Sequence, residues 1–115
     1  MSEQEKAPAR VMRFDELEFN PRFEYGHMAE VAGICGSDDG TDLGAGIVRL
    51  TESEIPWTIK YDEVLTVLEG ELTVEIDGAS HHLKPLDSIW LPNGTALIYR
   101  SKSALVHYAI HPNNW

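Results

Sequence analysis

Cysteine is nearly missing from this chain of 115 residues: Cys35 stands alone. One thiol can form neither an internal disulfide nor a cysteine-based zinc site. Cations are scarce as well. Nine Lys and Arg face 19 Asp and Glu, a formal charge of −10, and such a surface repels phosphodiester backbones, so nucleic acid is excluded as an expected partner. No apolar run approaches the roughly 18 residues of a membrane helix. The start, Met1–Arg10, has no apolar signal region. The expectation is a cytoplasmic protein with no membrane partner, association with a microcompartment being left open. There is also no glycine-rich phosphate loop followed by a Lys-Ser/Thr pair. Sustained helical periodicity is absent, and only Phe14–Phe19 offers a short helical turn.

What is present is globular: 43% of residues are apolar and 24% charged, which argues against disorder. The length suffices for one domain and not for two separate cores. Residues 1–10 read as a flexible, solvated tail and 11–115 as a single domain. Candidate strands are Val11–Phe14, Met28–Cys35, Leu43–Leu50, Ile55–Lys60, Glu63–Leu68, Glu71–Ile76, Ser80–Lys84, Ile89–Leu91, Thr95–Arg100 and Ala104–Ile110. In Glu71–Ile76 the apolar Leu72, Val74 and Ile76 alternate with Glu71, Thr73 and Glu75, a strand period. Asp77-Gly78 suits a tight hairpin, and Pro92-Asn93-Gly94 is another turn. Many short strands with frequent turns predict an all-β sandwich or barrel, and a small jelly roll is favoured over an immunoglobulin-like sandwich.

The segment Trp57-Thr58-Ile59-Lys60-Tyr61-Asp62-Glu63, with Val67-Leu68-Glu69-Gly70-Glu71 behind it, resembles the first motif of the cupins. In that motif a Glu precedes a turn glycine by seven positions, as Glu63 precedes Gly70; Asp87, Pro92 and Gly94 echo the second motif. The resemblance implies a cupin double-stranded β-helix. Cupin enzymes commonly hold a metal with three histidines and that Glu, but here Trp57, Ile59 and Leu97 occupy the histidine positions. Leu86 replaces a glycine, and Ser101 stands where Asn is common. Within the cupins, Trp57-Thr58-x-x-Tyr61-Asp62-Glu63 and the ending Pro112-x-Asn114-Trp115 look like the C-terminal cupin domain of the ethanolamine-utilisation EutQ family, whose longer members carry a further N-terminal domain. This likeness runs from about Leu43 to Trp115. It implies a homodimer and a barrel pocket.

Metal binding is also disfavoured by the residues themselves, since a transition-metal site needs three or four donors converging at about 2 Å. His81 and His82 are strand neighbours and leave opposite faces, and His107 and His111 share a face but lie about 13 Å apart. His27 completes the set. No cofactor is expected. Asp38, Asp39 and Asp42 do not match an EF-hand spacing and read as a solvated turn. Asn93-Gly94-Thr95 fits a glycosylation sequon but reads as a turn.

Strand parity then fills the barrel. If Glu63 and Leu97 face inward, the pocket contains one carboxylate among Trp57, Ile59, Leu97 and Tyr99, with Tyr61 and Asp62 near its rim. A buried acid has a raised pKa or a partner. Lys60 and a ligand are candidate partners; alternatively, Glu63 hydrogen-bonds Tyr61 or Tyr99 and merely satisfies a polar spot. The expected ligand-binding set is therefore Trp57, Ile59, Tyr61, Glu63, Leu97 and Tyr99, with Glu63 the candidate catalytic group.

Three functions compete. The first is a metal-free cupin that binds a small polar metabolite, such as an amine paired by Glu63 and held against Trp57 or Tyr99. The second is an enzyme of ethanolamine- or acetate-type metabolism, with Glu63 as general acid/base or supporting phosphoryl transfer; magnesium held by Glu63, Asp62 and Asp87 would be required for the latter. The third is a structural or assembly module. Strands apolar on both faces, Ile89-Trp90-Leu91 and Leu97-Ile98, fit a second sheet packed behind or a dimer interface. Trp115 is expected to cover that interface or the barrel mouth.

Overall fold

The structure is a computed structural model that describes residues 5–22 and 26–113. Eight strands form: β1 (Asn20–Pro21), β2 (Ala29–Cys35), β3 (Gly44–Thr58), β4 (Asp62–Gly70), β5 (Leu72–Ile76), β6 (Ala79–Leu83), β7 (Ser88–Leu91) and β8 (Ala96–His111). All pairings are antiparallel. Among the described residues there is no α-helix, only short 3-10 turns at Phe14–Glu16 and Ser37–Asp39. The expected all-β jelly roll is what these residues build.

Two strands carry the architecture. β3 and β8 pair along their whole length, from Gly44↔Ile110 to Thr58↔Ala96. Their outer halves join a front sheet in the order β1-β2-β3-β8-β4-β7, and their inner halves join a back sheet in the order β3-β8-β5-β6. Each long strand crosses from one sheet to the other, so its inward-facing parity must change on the way. In β3 the inward residues are Gly44, Gly46 and Leu50 before Glu52, and Ser53, Ile55 and Trp57 after it. Glu52 takes a left-handed φ of 43° at that point while the pairing count stays unbroken, Thr51↔Ser103 followed by Ser53↔Ser101. In β8 the phase changes between Tyr99 and Ala104. Leu43–Leu50 and Ile55–Lys60 are therefore one strand, as are Thr95–Arg100 and Ala104–Ile110. A period-two reading breaks each of them where the phase slips. Beyond Leu50 the free edge of β3 has no partner strand among the described residues, which accommodates Pro56 and its missing N–H.

The expected strand Val11–Phe14 does not form. Val11, Met12 and Phe14 are exposed, and among the described residues no neighbouring strand offers them a ladder. Phe14 instead lies edge-on to Phe19 (ring centroids 6.1 Å apart), and the Arg49 guanidinium sits 4.1 Å over the Phe19 ring. Further upstream, Arg10 grips the Ser37–Asp39 turn. It donates to both carboxylate oxygens of Asp39 (2.8 and 3.0 Å) and to the carbonyl of Ile34 (2.6 Å). Arg10 and the Gly36 N–H hold the Asp39 carboxyl below the usual carboxylate range. Asp39 is thus engaged within the chain. Asn113 ties the far end to the same region, its backbone N–H donating to Asp42 O at 2.7 Å and its amide to Ser37 Oγ at 3.1 Å. Trp115 lies outside the described residues.

The core lies between the sheets. Ile59, Val67, Leu72, Val74, Leu91, Val106 and Ile110 are shut off from water, each burial contributing about 1.5–3 kcal/mol. Two backbone positions are exacting. Gly70, at φ 77°, turns the chain from β4 into β5 where a Cβ would run into the Ser103 carbonyl. Leu86, standing where cupins carry glycine, is forced to φ 76° with its side chain 80% exposed. Gly70→Ala is predicted to destabilise by at least about 2 kcal/mol, since a clash adds to left-handed strain. Leu86→Gly should stabilise by up to about 1 kcal/mol, its relief of strain partly offset by unfolded-chain entropy. Urea unfolding midpoints measure both, and equal effects of the same sign would contradict this account.

Candidate functional site

The barrel hollow is a cavity of about 90 Å³, lined mostly by aliphatic side chains such as Leu50, Ile55, Leu65, Leu72 and Val106. Its polar groups are few: Arg22, Trp57, Tyr61, Glu63, Tyr99 and Tyr108. Glu63 comes from the start of β4, its second residue, in the front sheet, flanked by Leu91 on β7 and Ile110 on β8. Both neighbours are fully buried, and Glu63 itself is only 5% exposed. Tyr99 comes from the back-sheet half of β8, between Ile55 and Val74. Its hydroxyl reaches across the hollow and donates to Glu63 Oε1 at 2.9 Å.

That environment sets the acidity of the site. Burial pushes the Glu63 carboxyl up to about 7, and the hydrogen bond from Tyr99 pulls it back only in part. Desolvation wins because the charged form has lost its water and gained one neutral donor. Burial also raises the Tyr99 hydroxyl well above the ordinary tyrosine value, with the Glu63 carboxylate adding to the effect. Tyr61, in the connection between β3 and β4, is pushed up to about 12, chiefly by burial and then by Glu63, while a hydrogen bond with Trp57 opposes the shift. The indole N–H can only donate. Tyr108 is likewise raised to about 12 by burial. Near neutral pH the hollow therefore holds neutral phenols around a half-ionised acid.

Of the six residues expected at the site, Trp57, Tyr61, Glu63 and Tyr99 line the cavity; Ile59 and Leu97 do not. These two are buried (0% and 4% exposed) and pack into the core beside the hollow, which stops short of them. Tyr61 is interior, 3% exposed, and not a rim residue. Asp62 is exposed, with Oδ1 accepting the Asn93 N–H at 2.9 Å, so it fixes the Pro92–Gly94 turn. Asp87 serves another turn, accepting the Lys84 N–H at 2.9 Å. Lys60 is exposed, and the partner of Glu63 is Tyr99 instead.

Two polar lining residues lie outside the set expected from the sequence. Tyr108 was within reach of parity, because it shares its face with Val106 and Ile110. It fits because β3 carries Gly46 opposite it: a Cβ there would fall 2.6 Å from the Tyr108 hydroxyl. Arg22 follows the two-residue strand β1, and its N–H donates to Ala29 O at 2.9 Å. No periodic signal marks it.

A metal of the kind many cupins hold does not fit these donors. The cavity offers one carboxylate and no imidazole, and among the described residues no three His, Cys, Asp or Glu side chains gather into a candidate set. His82 is engaged outside the barrel with Thr73 Oγ1 (2.9 Å) and Glu71 (3.3 Å). His107 and His111 alternate with the inward residues of β8 and so face away from the hollow.

A jelly roll of this topology, with a carboxylate on the strand after the Trp57–Asp62 run and a turn glycine seven positions on, is a cupin. The particular family follows from comparison. The chain belongs to the family described as ethanolamine utilisation protein EutQ, whose family model matches residues 5–115. It is 32% identical over 90 residues to a protein of Escherichia coli K12 named acetate kinase EutQ, covering 77% of this chain and 39% of that one. The same-named protein of Salmonella typhimurium LT2 is 30% identical over 90 residues, again 39% of its length. The chain thus spans about two fifths of these relatives. In structure it is similar to a crystal structure from Salmonella typhimurium LT2 assigned as ethanolamine utilization protein Q. There the TM-score is 0.83 and the identity 26%, covering 90% of this chain and 86% of that one. An RmlC-like cupin from Shewanella frigidimarina shares the fold alone (TM-score 0.75, 17% identity, 91% and 92% covered). Among the described residues no helix is long and apolar enough to cross a membrane.

The raised acidity constant of Glu63 has a measurable consequence. An acid whose folded pKa (about 7) exceeds its ordinary value (4.5) binds protons more tightly in the folded state. Its contribution is then fully present below pH 4.5 and lost as pH rises through 7. The loss amounts to about 3 kcal/mol. Glu63→Gln, which keeps an acceptor for Tyr99, should unfold like wild type near pH 4.5 and be clearly more stable at pH 8. Parallel melting curves across that range would contradict the assignment.

Proposed function

We propose that the barrel cavity binds a small polar metabolite, an amine with a short aliphatic arm, without a metal. One observation carries this reading: a single carboxylate stands in a largely aliphatic hollow, beside Trp57 and three tyrosines, that offers no imidazole donor. An ammonium group pairing with Glu63 would compensate the desolvation that pushes this acid upward, and the faces of Trp57 and Tyr99 would add cation–π attraction. The chain's −10 charge favours approach of a cation. Size supports a small occupant. A cavity of about 150 Å³ accommodates benzene, so about 90 Å³ suits some four non-hydrogen atoms.

The relatives' name raises a second reading, an enzyme of acetate- or ethanolamine-type metabolism. The acidity of Glu63 near 7 suits a general acid–base group. Phosphoryl transfer is less well served, because charge stabilisation around phosphate oxygens would fall to a hollow with one cation and a carboxylate. Binding is therefore the preferred function of this domain.

Ethanolamine and short alkylamines titrated calorimetrically provide the test. Because the ammonium needs ionised Glu63, affinity should rise about tenfold between pH 6 and pH 8 and then level off. Glu63→Gln should abolish the binding and its pH dependence. Equal heats from both proteins, or none from either, would refute the proposal.

The reading includes a homodimer. On the outer face of the front sheet Val64 (43% exposed) and Trp90 (59% exposed) are direct cross-strand neighbours. Uncharged Ala45, Ile47 and Ala109 continue the same outward face on β3 and β8. An uncharged patch lets two copies of so acidic a chain meet without like-charge repulsion. Trp90→Glu should convert a dimer to a monomer in sedimentation velocity; a mass that is unchanged, or monomeric for both proteins, would exclude this face.

A further inference from the structure

The cavity has two charged ends. Arg22 lines the same hollow as Glu63, and its Nη2 is shut off from solvent. The residue as a whole remains half-buried, whereas Glu63 is only 5% exposed. Burial holds its guanidinium below the ordinary arginine value, and the groups that act on it electrostatically are Tyr61 and Tyr108. Those acting on Glu63 are burial and Tyr99. Arg22 follows β1 and Glu63 lies on β4, four places away in the front-sheet order, so the two charges enter the hollow from separate strands. Tyr108, on β8, and Tyr61, just before β4, line the same hollow, and both phenols feel both charges. Phenol hydroxyls can donate at either end.

We propose that the cavity selects a bifunctional ligand: an ammonium group at Glu63, a short aliphatic arm through the hollow, and an oxyanion at Arg22 with the Tyr61 and Tyr108 hydroxyls beside it. This inference rests on the amine reading above and extends it. A guanidinium fork matches carboxylate and phosphate geometry with two parallel hydrogen bonds, which a lone ammonium could not do. The apolar walls fit the arm, and a few convergent polar groups fix its ends, the usual division of labour in a small-molecule site. Net charge favours the carboxylate form. A zwitterion carries no net charge and meets no repulsion from the −10 chain, whereas an amino phosphate is a net anion. An amine and a two-carbon arm account for most of the hollow, which sends the oxyanion to the half-buried Arg22 end. Tyr108 can stand there because Gly46 leaves room for its ring.

The test is a calorimetric comparison of n-propylamine, β-alanine, 2-aminoethyl phosphate and propionate against wild type, Arg22→Gln, Arg22→Lys and Glu63→Gln at pH 8. Melting curves check that each variant is folded. The expected result is that β-alanine binds wild type at least tenfold more tightly than propylamine, with 2-aminoethyl phosphate distinguishing carboxylate from phosphate selection. Arg22→Gln should collapse the β-alanine affinity onto that of propylamine, and Arg22→Lys should recover part of the difference. Should Arg22→Gln fail to fold, Arg22→Lys carries the test, since a point charge without the fork must lose several-fold. If β-alanine and the phosphate bind no better than propylamine, or keep their advantage in both Arg22 variants, the inference falls while the amine site stands. If propionate equals β-alanine and depends on Arg22, the oxyanion end stands and the amine end falls. Absence of all binding overturns both.

Discussion

The hydrogen bond from Tyr99 to Glu63 joins the two sheets across the middle of the barrel. One partner comes from the back-sheet half of β8 and the other from the start of β4 in the front sheet. Everything distinctive about the hollow depends on it. An ionised carboxylate in an apolar setting is costly without hydrogen bonds or a counter-charge, and a single neutral phenol only partly meets that need. The result is an acid that titrates near neutrality. On a scaffold that in many cupins holds a metal, the hollow presents one protonatable carboxyl group and no imidazole.

Most of the fold was legible because its signals are local. The period-two alternation of Leu72, Val74 and Ile76, the Asp77-Gly78 hairpin, and the seven-residue spacing of Glu63 and Gly70 each survive intact in the structure. Failures occurred where a strand serves two sheets. The inward face of β3 changes parity at Glu52 and that of β8 between Tyr99 and Ala104, so a periodic reading finds two strands in place of one. Val11–Phe14 failed for the opposite reason: apolar composition suggested a strand, but no partner edge lies alongside it.

The site was legible in part. Parity correctly grouped Trp57, Glu63 and Tyr99 around one hollow. It could not tell a residue that lines the cavity from one that packs into the core beside it, which is why Ile59 and Leu97 were included; that distinction is a matter of depth, not direction. Arg22 was invisible because it reaches the barrel from a two-residue strand and a turn, where no repeat constrains the direction of a side chain. Tyr108 depends on a pairing between distant strands that puts Gly46 opposite it. The EutQ family membership and the cupin class both describe the scaffold. The polar inventory of the hollow is what gives this domain a chemistry of its own.

The central claim is that one carboxyl group, Glu63, sits desolvated in an organic cavity and shares its proton near neutrality. Carbon-13 NMR of the Glu63 side-chain carboxyl, assigned by comparison with Glu63→Gln and followed from pH 3 to pH 9, measures it directly. The account predicts a titration midpoint near 7, displaced from the ordinary 4.5. A midpoint at or below the ordinary value would mean that the carboxylate is fully solvated or paired with a cation, contradicting the account.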